Sequence, residues 1–430
     1  MTITIAFTVL LVLIALRAPI FAALGAAGMI GIYLARGPIG LSQVPLSIVS
    51  QLNNFTLVAI PLFILMGELL FVTDLGRDLY DAFHKWLSWL PGRLAVASIF
   101  AAAIFGAMCG VSIAAVAVIG PMAITAMARY GYDRKLAAGS IAASGALAML
   151  IPPSLLFILY GSISGESVGQ LFIGGIVPGI VLSLAMAVYV MVRVLLNPKL
   201  APYRHEVISW SDRWAALRRL WPALLLIVAV LGSIYTGVTT PTESAAIGVL
   251  GAFLVAALHY RVLNAATLWR VLQASTRTTA SILIILAAAF IFSQFLLYTR
   301  VPEAVSTFML GLGLSPLTLM VLLMVLFVFL GMLIDAASLV LVTTPIFLPT
   351  IVALGYDPLW FGIILTINME MAVITPPVGL NLYTLKSVAP DLSLEDIIGG
   401  TLPYVLIDFA VLFVFVLFPD WVLWLPRLAH

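Results

Sequence analysis

The sequence predicts an all-α polytopic membrane protein built on inverted repeats, with two re-entrant helical hairpins and two broken helices. Three observations carry this. The chain of 430 residues is 63% hydrophobic and 9% charged, with a mean hydropathy of +1.20, too few charges to clothe a soluble domain. The stretch from Pro121 to Pro178 returns about 224 residues later as Pro345 to Pro403. Each copy is interrupted by a proline pair, Pro152-Pro153 and Pro376-Pro377, 21 residues after Gly131-Tyr132-Asp133 and Gly355-Tyr356-Asp357. Both copies close on a Gly-Gly step, Gly174-Gly175 and Gly399-Gly400, with one extra residue in the second. Repeated apolar segments with Gly/Pro breaks at matching positions are the mark of a secondary transporter.

A spanning helix needs about 17–25 apolar residues. In order, such runs are 2–16 (short), 19–35, 54–73, 170–196, 215–236, 242–261, 274–297 and 400–425. No cleavable signal peptide is expected, because 1–16 lacks a basic start and the apolar sequence resumes past Arg17-Ala18-Pro19. Between 73 and 170 the pattern changes. Two short apolar runs, 94–108 and 113–128, flank Cys109-Gly110-Val111-Ser112 and read as a hairpin that turns back at Gly110. The helix that follows breaks at Pro152-Pro153-Ser154. The second copy repeats this, with arms near 316–333 and 338–353, a tip at Ile334-Asp335-Ala336-Ala337, and a break at Thr375-Pro376-Pro377-Val378-Gly379. Segments 74–90 and 264–275 are amphipathic and are expected to lie along the membrane surface with Trp86, Trp89 and Trp269 at headgroup depth. They act either as a collar or as a lever between a fixed framework and a moving body.

The expected domains are 1–73 framework helices, 74–92 an interfacial arm, and 93–169 the first hairpin and broken helix. There follow 170–262 framework, 263–302 an interfacial segment and framework helix, 303–396 the second hairpin and broken helix, and 397–430 a final helix. Five crossings separate the hairpins, so they should enter from opposite faces. With the loop at 199–219 in the cytoplasm, only Arg36, Arg300 and Arg427 of the 20 Lys and Arg residues fall outside, a strong positive-inside bias. Both termini are then expected on the non-cytoplasmic side.

Net charge is +2, which says nothing for nucleic acid, and the single Cys109 permits no internal disulfide. The four histidines, His84, His205, His259 and His430, show no metal-ligand spacing. An intramembrane enzyme would need clustered His, Asp or Glu at the membrane face, which the chain lacks.

A proline pair removes two backbone donors and pushes the preceding residue out of helical geometry, leaving carbonyls without partners. Within a bilayer such carbonyls must meet protein, water or a cation. Ser154 and Thr375 stand beside the two breaks with hydroxyls, which suits Na⁺. The tips differ: Gly110-Val111-Ser112 offers backbone and one hydroxyl, while Asp335 offers a carboxylate next to Ser338. Asp335 is open between cation ligand and helix N-cap. Half-helix N-termini present positive dipole ends to an anionic substrate. Thr240-Pro241-Thr242-Glu243 reads as a capping box. Asn368, Glu370, Asn381 and Asp408 line the cavity or bond across helices, with both readings open.

Five motifs carry a family resemblance. They are Gly237 to Ala245 around Thr-Pro-Thr-Glu, Ile151-Pro152-Pro153-Ser154, Arg129 to Asp133, Gly331 to Asp335, and Ile374 to Leu382. Together they resemble the large membrane subunit of tripartite ATP-independent periplasmic (TRAP) transporters, over essentially the whole chain. The resemblance implies a Na⁺-driven elevator that imports carboxylates, a periplasmic substrate-binding protein that delivers them, and a small four-helix membrane subunit. It also implies that Na⁺ and substrate are held at Gly110, Ser112, Pro153, Ser154, Asp335, Ser338, Thr375, Pro376 and Gly379, with no cofactor besides the coupling ion. Relatives usually carry a Ser-Gly-Ser first tip where this chain has Cys109-Gly110-Val111-Ser112, so backbone carbonyls are expected to do more of the ligation there. The nearest rival is a stand-alone divalent-anion/Na⁺ symporter.

Overall fold

A computed structural model of the chain describes residues 1–203 and 208–428. Arg204, counted above among the cytoplasmic charges, and His205 and His430 lie outside the described residues. The described chain is a bundle of helices, seven of them long and apolar enough to cross a membrane, or nine if two sharply bent pairs each count as one span. The protein is a multi-pass membrane protein.

The first helix is α1 (Thr2–Ala15). Helix α2 (Ile20–Leu52) runs well past the expected end at 35. Gly37 takes a left-handed conformation, φ 66°, and Pro38 then starts a new helical stretch at a position where its missing N–H costs nothing. Helix α3 (Ala59–Phe71), entered through one 3₁₀ turn, bends by 69° into α4 (Leu75–Trp86), the amphipathic arm read from the sequence.

The first hairpin is α5 (Arg93–Cys109) and α6 (Ser112–Arg129), turning at Gly110. Helix α7 (Arg134–Ala146) loosens into a 3₁₀ turn at Leu147–Met149, passes the proline pair and resumes as α8 (Leu155–Ser164). Helix α9 (Val168–Leu196) packs on α5, α7 and α8, on the second broken helix and on the chain's last two helices.

Helix α10 (Trp210–Arg219) begins on a Ser209/Asp212 capping box that the sequence reading passed over. The Ser209 hydroxyl and then its amide donate to the Asp212 carboxylate and hold it below the usual carboxylate range. The chain bends by 47° into α11 (Trp221–Ile227), a π-turn and α12 (Ser233–Tyr235), so the run expected at 215–236 is two pieces. Helix α13 (Pro241–Leu254) starts on the expected Thr240/Glu243 capping box and ends in a second π-turn at Val255–His259.

Helix α14 (Ala265–Tyr298) is continuous, so 264–275 is its first turns rather than a separate surface segment. No Gly or Pro interrupts it, and Asn264 caps it by accepting from the Thr267 amide. Its 34 residues span about 51 Å against about 30 Å of hydrocarbon, which carries one end beyond the core.

A further helix, α15 (Val301–Gly311), precedes the second hairpin, α16 (Pro316–Gly331) and α17 (Ala336–Ala353). The second broken helix is α18 (Pro358–Val373) and α19 (Leu380–Val388). The final run expected at 400–425 is divided into α20 (Leu394–Leu417) and α21 (Asp420–Leu428), because Pro419 withdraws a donor and forces Phe418 out of the helical region.

The packing crosses between the two copies. Each hairpin's first arm lies on its own broken helix, α5 on α7 and α16 on α18. Each second arm keeps contact with its own broken helix and also lies on the half-helix after the other copy's break, α6 on α19 and α17 on α8. The Gly-Gly steps do the same. A Cβ on Gly400 or Gly139 would fall 2.1 Å from the Lys135 carbonyl or 2.0 Å from that of Gly400, so α20 and α7 touch backbone to backbone. In the other copy Gly174 of α9 meets Ile363 of α18, which stands at the repeat position of Gly139.

Candidate functional site: two tips facing two breaks

Each hairpin tip lies against the break of its own copy. In the first, Gly110 is left-handed, φ 67°, and a Cβ there would lie 2.9 Å from the Pro153 carbonyl oxygen. Only glycine permits that approach. Ser112 opens α6 from the same turn and is buried. In the second, the Val378 amide donates to the Met332 carbonyl at 3.2 Å, tying break to tip. In both breaks the bond between the prolines is cis.

The hydroxyls beside the breaks are both buried and both turned to backbone. Ser154 donates to the Met149 carbonyl and Thr375 to the Met371 carbonyl. Their oxygens keep lone pairs for a cation, since a donated proton occupies neither. Gly379, φ 35°, sits over the Thr375 carbonyl, 3.0 Å from its own would-be Cβ, with Pro376 between them. Pro153, Ser154 and Gly110 thus form one cluster, and Thr375, Pro376 and Gly379 form another.

Asp335 takes the capping role. Its carboxylate accepts from the Ser338 amide at 3.0 Å and the Ser338 hydroxyl at 2.5 Å and starts α17. Such a cap contributes about 1 kcal/mol. Both residues belong to the second tip, and the cap shapes the turn that meets the break.

Asn381, left open in the sequence, joins the copies. Its side-chain amide donates to the Ala142 carbonyl on α7 at 3.0 Å and stands 3.5 Å from where a Gly145 Cβ would be. That same point is 3.3 Å from the Ser112 carbonyl, so Asn381 stands near the first tip. Its oxygen is buried without a partner, as is that of Asn368. Glu370 and Asp408 are fully buried without hydrogen-bond partners on the packed pair α18 and α20.

A cavity of about 310 Å³ abuts the first tip. Cys109, Val111 and Ala114 form one wall, and Gly67 and Glu68 of α3 with Thr278 of α14 form the other. Glu68 and Thr278 were missed from sequence. A carboxylate inside the apolar run 54–73 was the available signal for Glu68. No group of three or more His, Cys, Asp or Glu residues could hold a metal ion among the described residues.

The profile of the family described as "Tripartite ATP-independent periplasmic transporter, DctM component" matches residues 7–421. The chain belongs to the DctM family of TRAP transporter components. It is 34% identical to the C4-dicarboxylate TRAP transporter large permease protein DctM of Pseudomonas aeruginosa, over 94% of this chain and 93% of that one. It is 33% identical to the 2,3-diketo-L-gulonate TRAP transporter large permease protein YiaN of Escherichia coli, over 87% of each. Among solved structures, the YdaH transporter of Alcanivorax borkumensis superposes with a TM-score of 0.63 at 17% identity, over 97% of this chain and 98% of that one, a likeness of fold. This DctM-family chain is therefore a large TRAP permease subunit with an all-α transporter fold.

Proposed function

We propose that this TRAP permease is a Na⁺-coupled secondary importer of a small organic carboxylate. It works with a small four-helix membrane subunit and receives substrate from a periplasmic binding protein. The carrying observation is the pairing of each hairpin tip with its own helix break, Gly110 on the Pro153 carbonyl and Val378 bonded to Met332. Breaks of this kind expose carbonyls and helix ends at one depth, where a cation and an anionic group can be held together. Gly110, Ser112, Pro153 and Ser154 are assigned to one Na⁺ site, and Asp335, Ser338, Thr375, Pro376 and Gly379 to the other, with substrate between. The names of the two relatives, one for C4-dicarboxylates and one for 2,3-diketo-L-gulonate, support a carboxylate.

The test is uptake in proteoliposomes carrying the permease and both partners, supplied with candidate carboxylates. Uptake is expected to require an inward Na⁺ gradient and to fall to background when Na⁺ is replaced by K⁺ or choline. Equal uptake in choline, with the proton gradient collapsed, overturns the coupling.

The same reading makes the hairpins and broken helices one body that slides against α1–α3, α13 and α14. In a Cys109→Ala background, Ser112→Cys is expected to react with thiol reagents from the cytoplasm and Ala336→Cys from the periplasm, each mainly in one state. Labelling of both from one side, with the same response to Na⁺, removes the inverted topology and the sliding mechanism with it.

A further inference from the structure

Away from the tips, α11 and α13 enclose an apolar trough of about 500 Å³. Its walls are Leu225, Ala229, Ile247, Leu254 and Leu258, four of them exposed leucines or isoleucine, with Leu258 at 68%. In a helix pair that passes for membrane-spanning, such a trough opens to lipid. Trp221 and His259 close one end, their rings edge to face at 5.3 Å.

Three arginines stand at that closed end. Arg218 and Arg219 are the last residues of α10, three and two positions before Trp221, and Arg261 follows His259 by two positions. Two or three residues of chain reach at most about 7–11 Å, which keeps the backbone of all three arginines near the trough's closed end. All three are exposed. No ion pair among the described residues joins any of them to a carboxylate. Of the nearby acids, Asp212 holds its cap, Asp81 pairs with Lys85, Asp78 accepts from the Tyr260 hydroxyl at 2.7 Å, and Asp74 also faces Tyr260 without pairing to an arginine among the described residues. From Trp221 to Ala229 the trough runs about 12 Å along the helix, close to the roughly 15 Å depth of one leaflet's hydrocarbon.

We propose that this trough is a binding site for one anionic glycerophospholipid, its acyl chain between α11 and α13 and its phosphate on Arg218, Arg219 and Arg261. An indole at headgroup depth, unpaired cations beside it and a wholly apolar slot below match the three parts of such a lipid in order. A protein helix would use the slot but leave the three charges unanswered.

The experiment uses the full-length permease in mild detergent, with phosphatidylglycerol and phosphatidylcholine of identical chains offered in equal amounts. Bound lipid is read by native mass spectrometry. Wild type is expected to retain phosphatidylglycerol over phosphatidylcholine by about tenfold or more. The triple variant Arg218→Gln/Arg219→Gln/Arg261→Gln should lose that preference, and Ala229→Trp, which fills the slot, should lose both lipids. Size-exclusion profiles establish that each variant is folded, and either folded variant suffices. Absence of headgroup preference in wild type, or its survival in either variant, overturns the proposal. So does protection of Leu225→Cys from a thiol reagent by a co-purified small subunit, which would make the trough a protein interface.

Discussion

Replacing Pro376 and Pro377 together by alanine is expected to abolish uptake while leaving folded permease in the membrane. Helix α18 ends at Val373 and α19 begins at Leu380, with the proline pair in the gap. Each proline costs a helix about 3 kcal/mol relative to alanine, and alanine restores the two missing donors. The gap can then close into a continuous helix, which gains hydrogen bonds worth about 1 kcal/mol each. Closing it withdraws the Thr375 carbonyl into the ladder and pulls the Val378 amide from Met332. A displacement of even about 1 Å at a binding constellation reduces rates by roughly a hundredfold, and here a whole turn is rebuilt. Initial uptake per folded protein, measured against Pro349→Ala in the exposed flank of α17, checks this. A double variant that transports at the wild-type rate returns the prolines to the status of simple kinks.

A second large effect lies in the crossing of α7 and α20. Valine at Gly139 or Gly400 is expected to leave little or no monodisperse protein. The atoms that a Cβ would strike, at 2.0 and 2.1 Å, are main-chain carbonyl oxygens, which cannot rotate away. Helices meeting through small residues in a membrane gain their contact from that closeness. Overpacking commonly costs 1–3 kcal/mol where side chains can yield, and here the helices themselves must separate. Gly399→Ala is the matched control, because its nearest neighbours are the flexible Lys135 side-chain atoms, from 3.6 Å. Fluorescence-detected size exclusion of the three variants decides the matter, and a normal peak for Gly139→Val sinks the argument.

The hairpins and breaks were legible because Gly and Pro interrupt otherwise apolar sequence at matched spacings. The arms came within two residues at most of their ends for that reason. Gly37-Pro38 misled by the same logic, as the pair bends α2 instead of ending it. Helix α10 was passed over because its Trp, Asp and Arg residues interrupt any apolar run. At the site, the spacing placed tips near breaks, but the capping of Asp335 and the reach of Asn381 to Ala142 depend on tertiary approach. That each second arm also packs on the other copy has no local signature at all, since α6 and α17 are apolar around most of their surfaces.

The crosswise packing has a bearing on biogenesis. When α6 to α9 leave the ribosome, the helices that will cover them, α17 to α20, are still about 200 residues from being made. At roughly 5–20 residues per second the first copy waits on the order of 10–40 s with the α7 face around Gly139 uncovered by α20. The first copy therefore completes its packing only when the second arrives to interleave with it.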